Sequence, residues 1–230
     1  EVEVTAGETG TVTLLLRTGR ALSASRIRLL QEKALELEGV KAVAVVAPGT
    51  LKMRGDPPVL YRLAMDEGRI LTFRISPLAF IQANYIANRA LVRTLLEYAQ
   101  PLPHEGVLDL FSGAGNFSLP LACKAGEVTG VEQNIHAVRC ARLNARENNV
   151  ENVNFMRASA QDAIEALARW KKNPVIVILD PPRTGARRVV EGLVVLAPER
   201  IVYISCDPAT LARDVRILAS VGYKMVRAAI

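Results

Sequence analysis

From residue 106 onward, short apolar runs rich in β-branched residues alternate with longer segments of helical spacing. This rhythm constrains the fold more than any other feature. The runs fall at 106–111, 127–132, 152–157, 174–179, 200–205 and 223–229. Strands buried on both faces read as continuous apolar stretches, and the intervening lengths suit crossover helices. The expected fold is α/β, a Rossmann-like, doubly wound and mostly parallel sheet. At 230 residues and 50% hydrophobic, the chain has ample material for a buried core.

Residues 1–76 follow a different pattern, that of a small α+β domain. A strand is expected over 9–17. A helix is expected over 25–38, with Ile27, Leu30, Ala34 and Leu37 on one face and Gly39 as its stop. Strands at 40–47, 59–65 and 69–75 follow, the last two forming a hairpin around Glu67-Gly68. No motif in this region carries identifiable chemistry. Ser76-Pro77 divides it from residues 77–230, which open with a helix over 84–99 ended by Pro101 and Pro103.

Several function classes are excluded or narrowed by composition. The 3 cysteines, at 123, 140 and 206, are too few and too widely spaced for a disulfide framework or for a metal or iron–sulfur cluster. Cys123 and Cys140 lie in helical apolar patterns and read as core. A reducing, cytoplasmic setting is expected. No apolar run approaches the ~20 residues that span a bilayer, and no signal peptide is visible. The chain opens at Glu1 directly into a strand-like run, so it reads as an excised piece. The formal net charge of +6, with a pI near 9.5, permits a polyanionic partner.

The first run of the second region ends Val107-Leu108-Asp109-Leu110-Phe111 and is followed by Ser112-Gly113-Ala114-Gly115-Asn116. Glycines at such a turn admit a ligand close to the backbone. The next run ends in Glu132, where a carboxylate can accept hydrogen bonds from both ribose hydroxyls. A dinucleotide site would want a third glycine, which Ser118 replaces here, and an acid at Asp109 suits a diphosphate poorly. It suits a cationic amino-acid ligand. S-adenosylmethionine carries a sulfonium and an ammonium, and needs a ribose clamp but no phosphate cradle. After the third run, Ser159 or Asp162 could meet the adenine edge, and Asp162 could equally cap the next helix.

The fourth run ends Asp180-Pro181-Pro182-Arg183-Thr184-Gly185. Two prolines stiffen the loop, and an acid followed by Pro-Pro is what base-modifying methyltransferases place beside a flipped nucleobase. Arg183 stands where enzymes methylating exocyclic amines usually carry an aromatic, and offers a cation to phosphate. The fifth run delivers Cys206 to its carboxyl end, with Asp207-Pro208 opening a helix. The N-terminus of a helix favours negative charge. A thiol there reads either as a small buried hydrophobe or as a nucleophile. A nucleophile is superfluous for an amine but needed for a pyrimidine carbon. Thiolate addition at uracil C6 makes C5 an enolate carbon able to attack a sulfonium methyl group.

The chain resembles the class I RNA 5-methyluridine (uracil-5-) methyltransferases, which modify 23S ribosomal RNA and tRNA. The residues that carry the likeness are Ile75-Ser76-Pro77 with Phe80-x-Gln82-x-Asn84, Asp109-Leu-Phe-Ser-Gly-x-Gly-Asn-Phe117, Asp180-Pro-Pro-Arg-Thr-Gly185 and Ser205-Cys206-Asp207-Pro208-Ala209-Thr210-Leu211-Ala212-Arg213-Asp214. The resemblance covers nearly the whole chain. It implies S-adenosylmethionine as cofactor, bound by Gln82, Phe111, Asn116, Glu132, Ser159 and Asp180. It implies Cys206 as the nucleophile, with Asp180 also touching uracil. It implies RNA as partner, a central RNA-contacting domain in residues 1–76, and a monomeric, cytoplasmic protein without a metal or iron–sulfur cluster. The family's general base is a glutamate beyond a final strand pair, a point that residue 230 precedes. Asp207 and Asp214 read instead as helix-start and helix-surface residues. Two other readings stay open: an amino-methyltransferase in which Cys206 is structural, and a catalytically incomplete RNA-binding fragment.

Overall fold

The structure is a computed structural model that describes residues 1–8, 10–56, 58–82, 84–169 and 174–230. Its N-terminal sheet has the order β1-β2-β3-β4, from β1 (Val2–Ala6), β2 (Val12–Arg17), β3 (Val40–Ala47) and β4 (Thr50–Gly55). Helix α1 (Ala24–Leu35) is the crossover between the parallel pair β2 and β3, and the outer pairs are antiparallel. Thr9, at the start of the expected 9–17 strand, lies outside the described residues, and β2 begins at Val12.

The inward face of α1 runs through Ile27, Gln31 and Ala34, while Leu30 and Leu37 are exposed. Gln31 takes the place expected for Leu30 because its amide donates to the Lys52 carbonyl of β4 at 3.1 Å. Strand β4 itself was not expected from the sequence. It is exposed along its length, so it lacks the alternation that marks a half-buried strand.

The hairpin is present as β5 (Val59–Ala64) and β6 (Ile70–Arg74), antiparallel around a 3₁₀ turn at Asp66–Gly68. Its Leu60, Tyr61, Leu63, Leu71 and Phe73 are buried in one hydrophobic cluster with Val92, Leu95 and Val107, so the apolar core runs across the Ser76-Pro77 break. Asn144 and Asn148 fix the hairpin from the other side. Asn148 accepts from the Thr72 N–H and donates to the Thr72 carbonyl, both at 2.8 Å. Asn144 does the same for Arg74 at 2.9 and 3.1 Å. One helical turn of four residues rises ~6 Å and two strand residues ~6.6 Å, so the two spacings match.

Five parallel strands form the main sheet in the order β11-β10-β7-β8-β9. They are β7 (Gly106–Leu110), β8 (Glu127–Glu132), β9 (Val153–Arg157), β10 (Ile176–Leu179) and β11 (Arg200–Tyr203). Alternation along the strands separates two cores. Val107, Val128, Ile176 and Ile178 face one side with α2 (Tyr85–Ala99), α3 (Ser118–Ala122) and α4 (Ile135–Glu147). Leu108, Leu110, Val131, Val177 and Leu179 face the other with α5 (Ala160–Arg169), α6 (Arg187–Leu196) and α7 (Pro208–Ser220). Each fully buried Leu, Ile or Val in these layers contributes roughly 1.5–3 kcal/mol. Strand order reverses between β7 and β10, which sets a crevice at their carboxyl ends.

Two sequence expectations fail at the C-terminal side. The fifth strand ends at Tyr203 rather than 205, because the Ser205 hydroxyl accepts the Asp207 N–H at 3.1 Å and turns the chain. No strand forms over 223–229: Met225 is 74% and Val226 88% exposed, and no strand among the described residues pairs with the run. Alternating apolar residues make a strand only where a neighbour takes the backbone groups. No helix among the described residues is long and apolar enough to cross a membrane.

Candidate active site

The crevice is built first from the loop after β7. Asp109 is fully buried, with Oδ2 accepting from the Ser118 hydroxyl at 2.5 Å. Asp109 Oδ1 and the buried Ser112 Oγ have no hydrogen-bond partner among the described residues. Burial, opposed by the Ser118 bond and reinforced by Asp180 and Glu132, pushes the Asp109 carboxyl up to about 7. Ser118, in place of a third glycine, is therefore the proton donor to a buried acid. Gly115 has φ +90°, and a Cβ there would lie 2.6 Å from Leu119 Cδ1 and 3.1 Å from the Phe155 ring. Phe111 adopts φ +66°. A bulky residue in that region costs ~1–3 kcal/mol, and such strain clusters at functional sites.

Gln82, Phe111, Asn116 and Asp180 line one cavity together with Phe80 and Ile81. Gln82 Nε2 donates to Asp180 Oδ2 at 3.5 Å. Burial pushes the Asp180 carboxyl up to about 6. Glu132 does not line the cavity. Its two oxygens accept the Asn134 N–H at 2.7 Å and the Gly113 N–H at 3.2 Å, which ties it to the same loop. Ser159 lies outside the cavity. Its hydroxyl accepts the Asp162 N–H at 3.1 Å, so Ser159 caps α5 and Asp162 sits in the first turn.

The Asn116 side chain is committed to the protein. Its Oδ1 accepts from Tyr61 Oη at 2.5 Å and from Asn88 Nδ2 at 2.9 Å, and its Nδ2 donates to Asn88 Oδ1 at 2.9 Å. Tyr61 stacks on Phe73 at 4.5 Å, and burial pushes its phenol well above the ordinary range. The hairpin and α2 thus set the backbone of the loop, and the N-terminal region holds a site-lining residue after all. Nothing in the sequence around Tyr61 distinguishes it from a core aromatic.

On the other flank Leu179 and Tyr203 are register partners, and the Ile204 N–H donates to the Leu179 carbonyl at 2.7 Å. Asp180 and Cys206 therefore leave adjacent strands at the same rim. Cys206 is exposed, whereas Cys140 is buried and Cys123 half-buried. Asp207 caps α7 by accepting the Thr210 N–H at 2.8 Å, and Pro208 occupies the first turn. Asp214 is not on the helix surface as expected: it is fully buried. Its burial is compensated by three donors described below.

A parallel 5-4-1-2-3 sheet with an acid-lined crevice at the switch point is the architecture of a class I methyltransferase. The sequence model of the tRNA (Uracil-5-)-methyltransferase family matches residues 59–230, and the chain belongs to that family. A 23S rRNA (uracil(1939)-C(5))-methyltransferase, RlmD, of Aeromonas hydrophila is 37% identical over 98% of this chain and 50% of its own length. An uncharacterized RNA methyltransferase of Clostridium tetani is 36% identical over 97% of this chain and 50% of its own. The chain spans about half the length of these curated relatives. The solved Pyrococcus abyssi tRNA (uracil-54, C5)-methyltransferase in complex with S-adenosyl-L-homocysteine superposes with a TM-score of 0.68 at 27% identity, covering 94% of this chain and 52% of that one.

Proposed function

We propose that this chain transfers a methyl group from S-adenosylmethionine to C5 of a uridine in RNA, through a covalent bond between Cys206 and uracil C6. The residues present fit the cofactor. Asp109 Oδ1 and Ser112 Oγ, the half-buried Asp180 and the Cβ-free Gly113 and Gly115 favour a ligand that is cationic at one end and approaches backbone closely. Phe111, Gln82 and Asp180 would line it, Glu132 would take the ribose hydroxyls, and Asn116 would act by holding the loop. Ser159 would contribute near adenine through the start of α5. When bound, the cofactor supplies an electrophilic methyl group.

Cys206 supplies the nucleophile. The Cys206 thiolate adds to C6, and the C5=C6 pair moves to C5 and O4. C5 would then take the methyl group, the electron pair of the broken carbon–sulfur bond staying with the cofactor's sulfur. A base removes the C5 proton, the double bond reforms and the thiolate leaves. Residues 1–76 would hold RNA in a cytoplasmic enzyme, and the curated relatives favour ribosomal over transfer RNA as the substrate class.

The observation that carries this reading is Cys206, exposed at the rim beside Asp180. RNA containing 5-fluorouracil tests it, because fluorine in place of the C5 proton prevents elimination and the adduct persists. Wild-type protein with cofactor should give a band resistant to denaturation, and Cys206→Ser should give none. Equal trapping by both proteins overturns the role of Cys206.

A further inference from the structure

The loop that carries Asp180 is held by the helix that follows Cys206. Thr210, Arg213 and Asp214, at i, i+3 and i+4 on α7, share the face turned to that loop. Thr210 Oγ1 donates to the Arg183 carbonyl at 3.2 Å. Arg213 Nη2 donates to the Thr184 carbonyl at 3.1 Å. Asp214 Oδ2 accepts the Ala186 N–H at 2.7 Å and the Tyr203 hydroxyl at 2.7 Å, while Oδ1 accepts from Arg213 Nε at 2.8 Å. Gly185, at φ +74°, leaves no room between them: a Cβ would sit 2.5 Å from Arg213 Nη2 and 2.7 Å from Asp214 Oδ2.

Asp214 is 0% exposed, so it cannot meet a substrate. Burial alone would push its carboxyl up, but the Ala186 N–H, the Tyr203 hydroxyl and the Arg213 guanidinium more than offset this and hold it below the ordinary range. A buried carboxylate joining a strand end, a helix start and a loop is costly unless every donor is in place.

We propose that Asp214 is a positioning residue: with Arg213 it locks the loop after Asp180 to the helix after Cys206, so that the acid and the thiol keep one spacing. The inference rests on the methyl-transfer reading. Two chain segments that bring reacting groups from different strands gain little from exact strand pairing if the loops beyond the strands drift. A misplacement of ~1 Å can cost about a hundredfold in rate.

The test compares Asp214→Asn and Gly185→Ala, which strike the lock from opposite sides. Cofactor affinity by calorimetry should change less than about threefold, while the rate of adduct formation with 5-fluorouracil RNA falls about tenfold or more. The double variant should be little worse than either single one, as for residues acting through one contact. Adduct rates at the wild-type level, or affinity and rate falling in the same proportion, overturn the proposal. If Asp214→Asn does not fold, Tyr203→Phe, which removes one donor, takes its place with the same readouts. Amide hydrogen exchange over 183–186 needs no chemistry: it should quicken in each variant with the central strands unchanged. Unchanged exchange overturns the lock even where wild-type protein fails to trap RNA, an outcome that counts against the methyl-transfer reading instead.

Discussion

Asp180 and Asp109 carry protons that an ordinary aspartate would have lost. Asp180 ionises at about 6 and Asp109 at about 7, each held up first by burial. A cationic ligand favours their ionised forms, so its binding should release protons. Cofactor affinity should rise with pH from 5 to 7, by up to about tenfold per unit for each carboxyl still protonated, and so most steeply below the Asp180 value. Asp180→Asn should flatten the lower part of that rise, and calorimetry in buffers of different ionisation enthalpy should show the released proton. Affinity independent of pH across this window sinks the assignment. For the ligand-free protein the sign is opposite. The folded state keeps these protons longer than the unfolded chain, so stability declines as pH rises from the ordinary carboxylate range towards 7.

The element scale is where sequence and structure part. Periodicity made the strands and helices of the main sheet legible, and the Asp109–Phe117 and Asp180–Gly185 motifs marked two walls of the crevice. Exposure hid β4, whose outward side chains follow no alternation. Leu30 yielded its inward place to Gln31 because a backbone carbonyl needed a donor. Tyr61 was invisible as a site-lining residue and Asp214 as a buried one, since a core tyrosine and a surface helix aspartate are told from these only by what packs against them. Asn116 was legible as a loop residue but not as one whose amide is already satisfied. Its partners lie on β5 and α2, and that gives a prediction. Tyr61→Phe should cost ~1 kcal/mol in a denaturant titration, leaving the Asn88–Asn116 pair intact. Asn116→Ala should cost roughly 1–3 kcal/mol, because it strands two buried donors, and should weaken cofactor binding as well. A neutral Asn116→Ala would show that the loop is held by other means.

At the scale of the whole molecule, the N-terminal region is tied to the methyltransferase layers by polar contacts as well as by shared core. Tyr85 of α2 donates to the Ala6 carbonyl, and Arg89 of the same helix pairs with Glu8. If residues 1–76 hold RNA as proposed, the formal charge of +6 should make binding of single-stranded RNA markedly salt-dependent. Neutralising three to six phosphates gives a log–log slope of about −2 to −4 in a filter-binding or anisotropy titration. A slope near zero would rule out phosphate contacts as the source of affinity. The asparagines of α4 carry one more consequence, for the order in which the chain can be made. The backbone groups of Thr72 and Arg74 are an open strand edge until Asn144 and Asn148 occupy them. Thr72 and Asn148 are 76 residues apart. A ribosome adding about 5–20 residues per second needs ~4–15 s to cover that interval. For those seconds the nascent hairpin presents an unsealed edge, and it is the segment a cotranslational chaperone would have to shield.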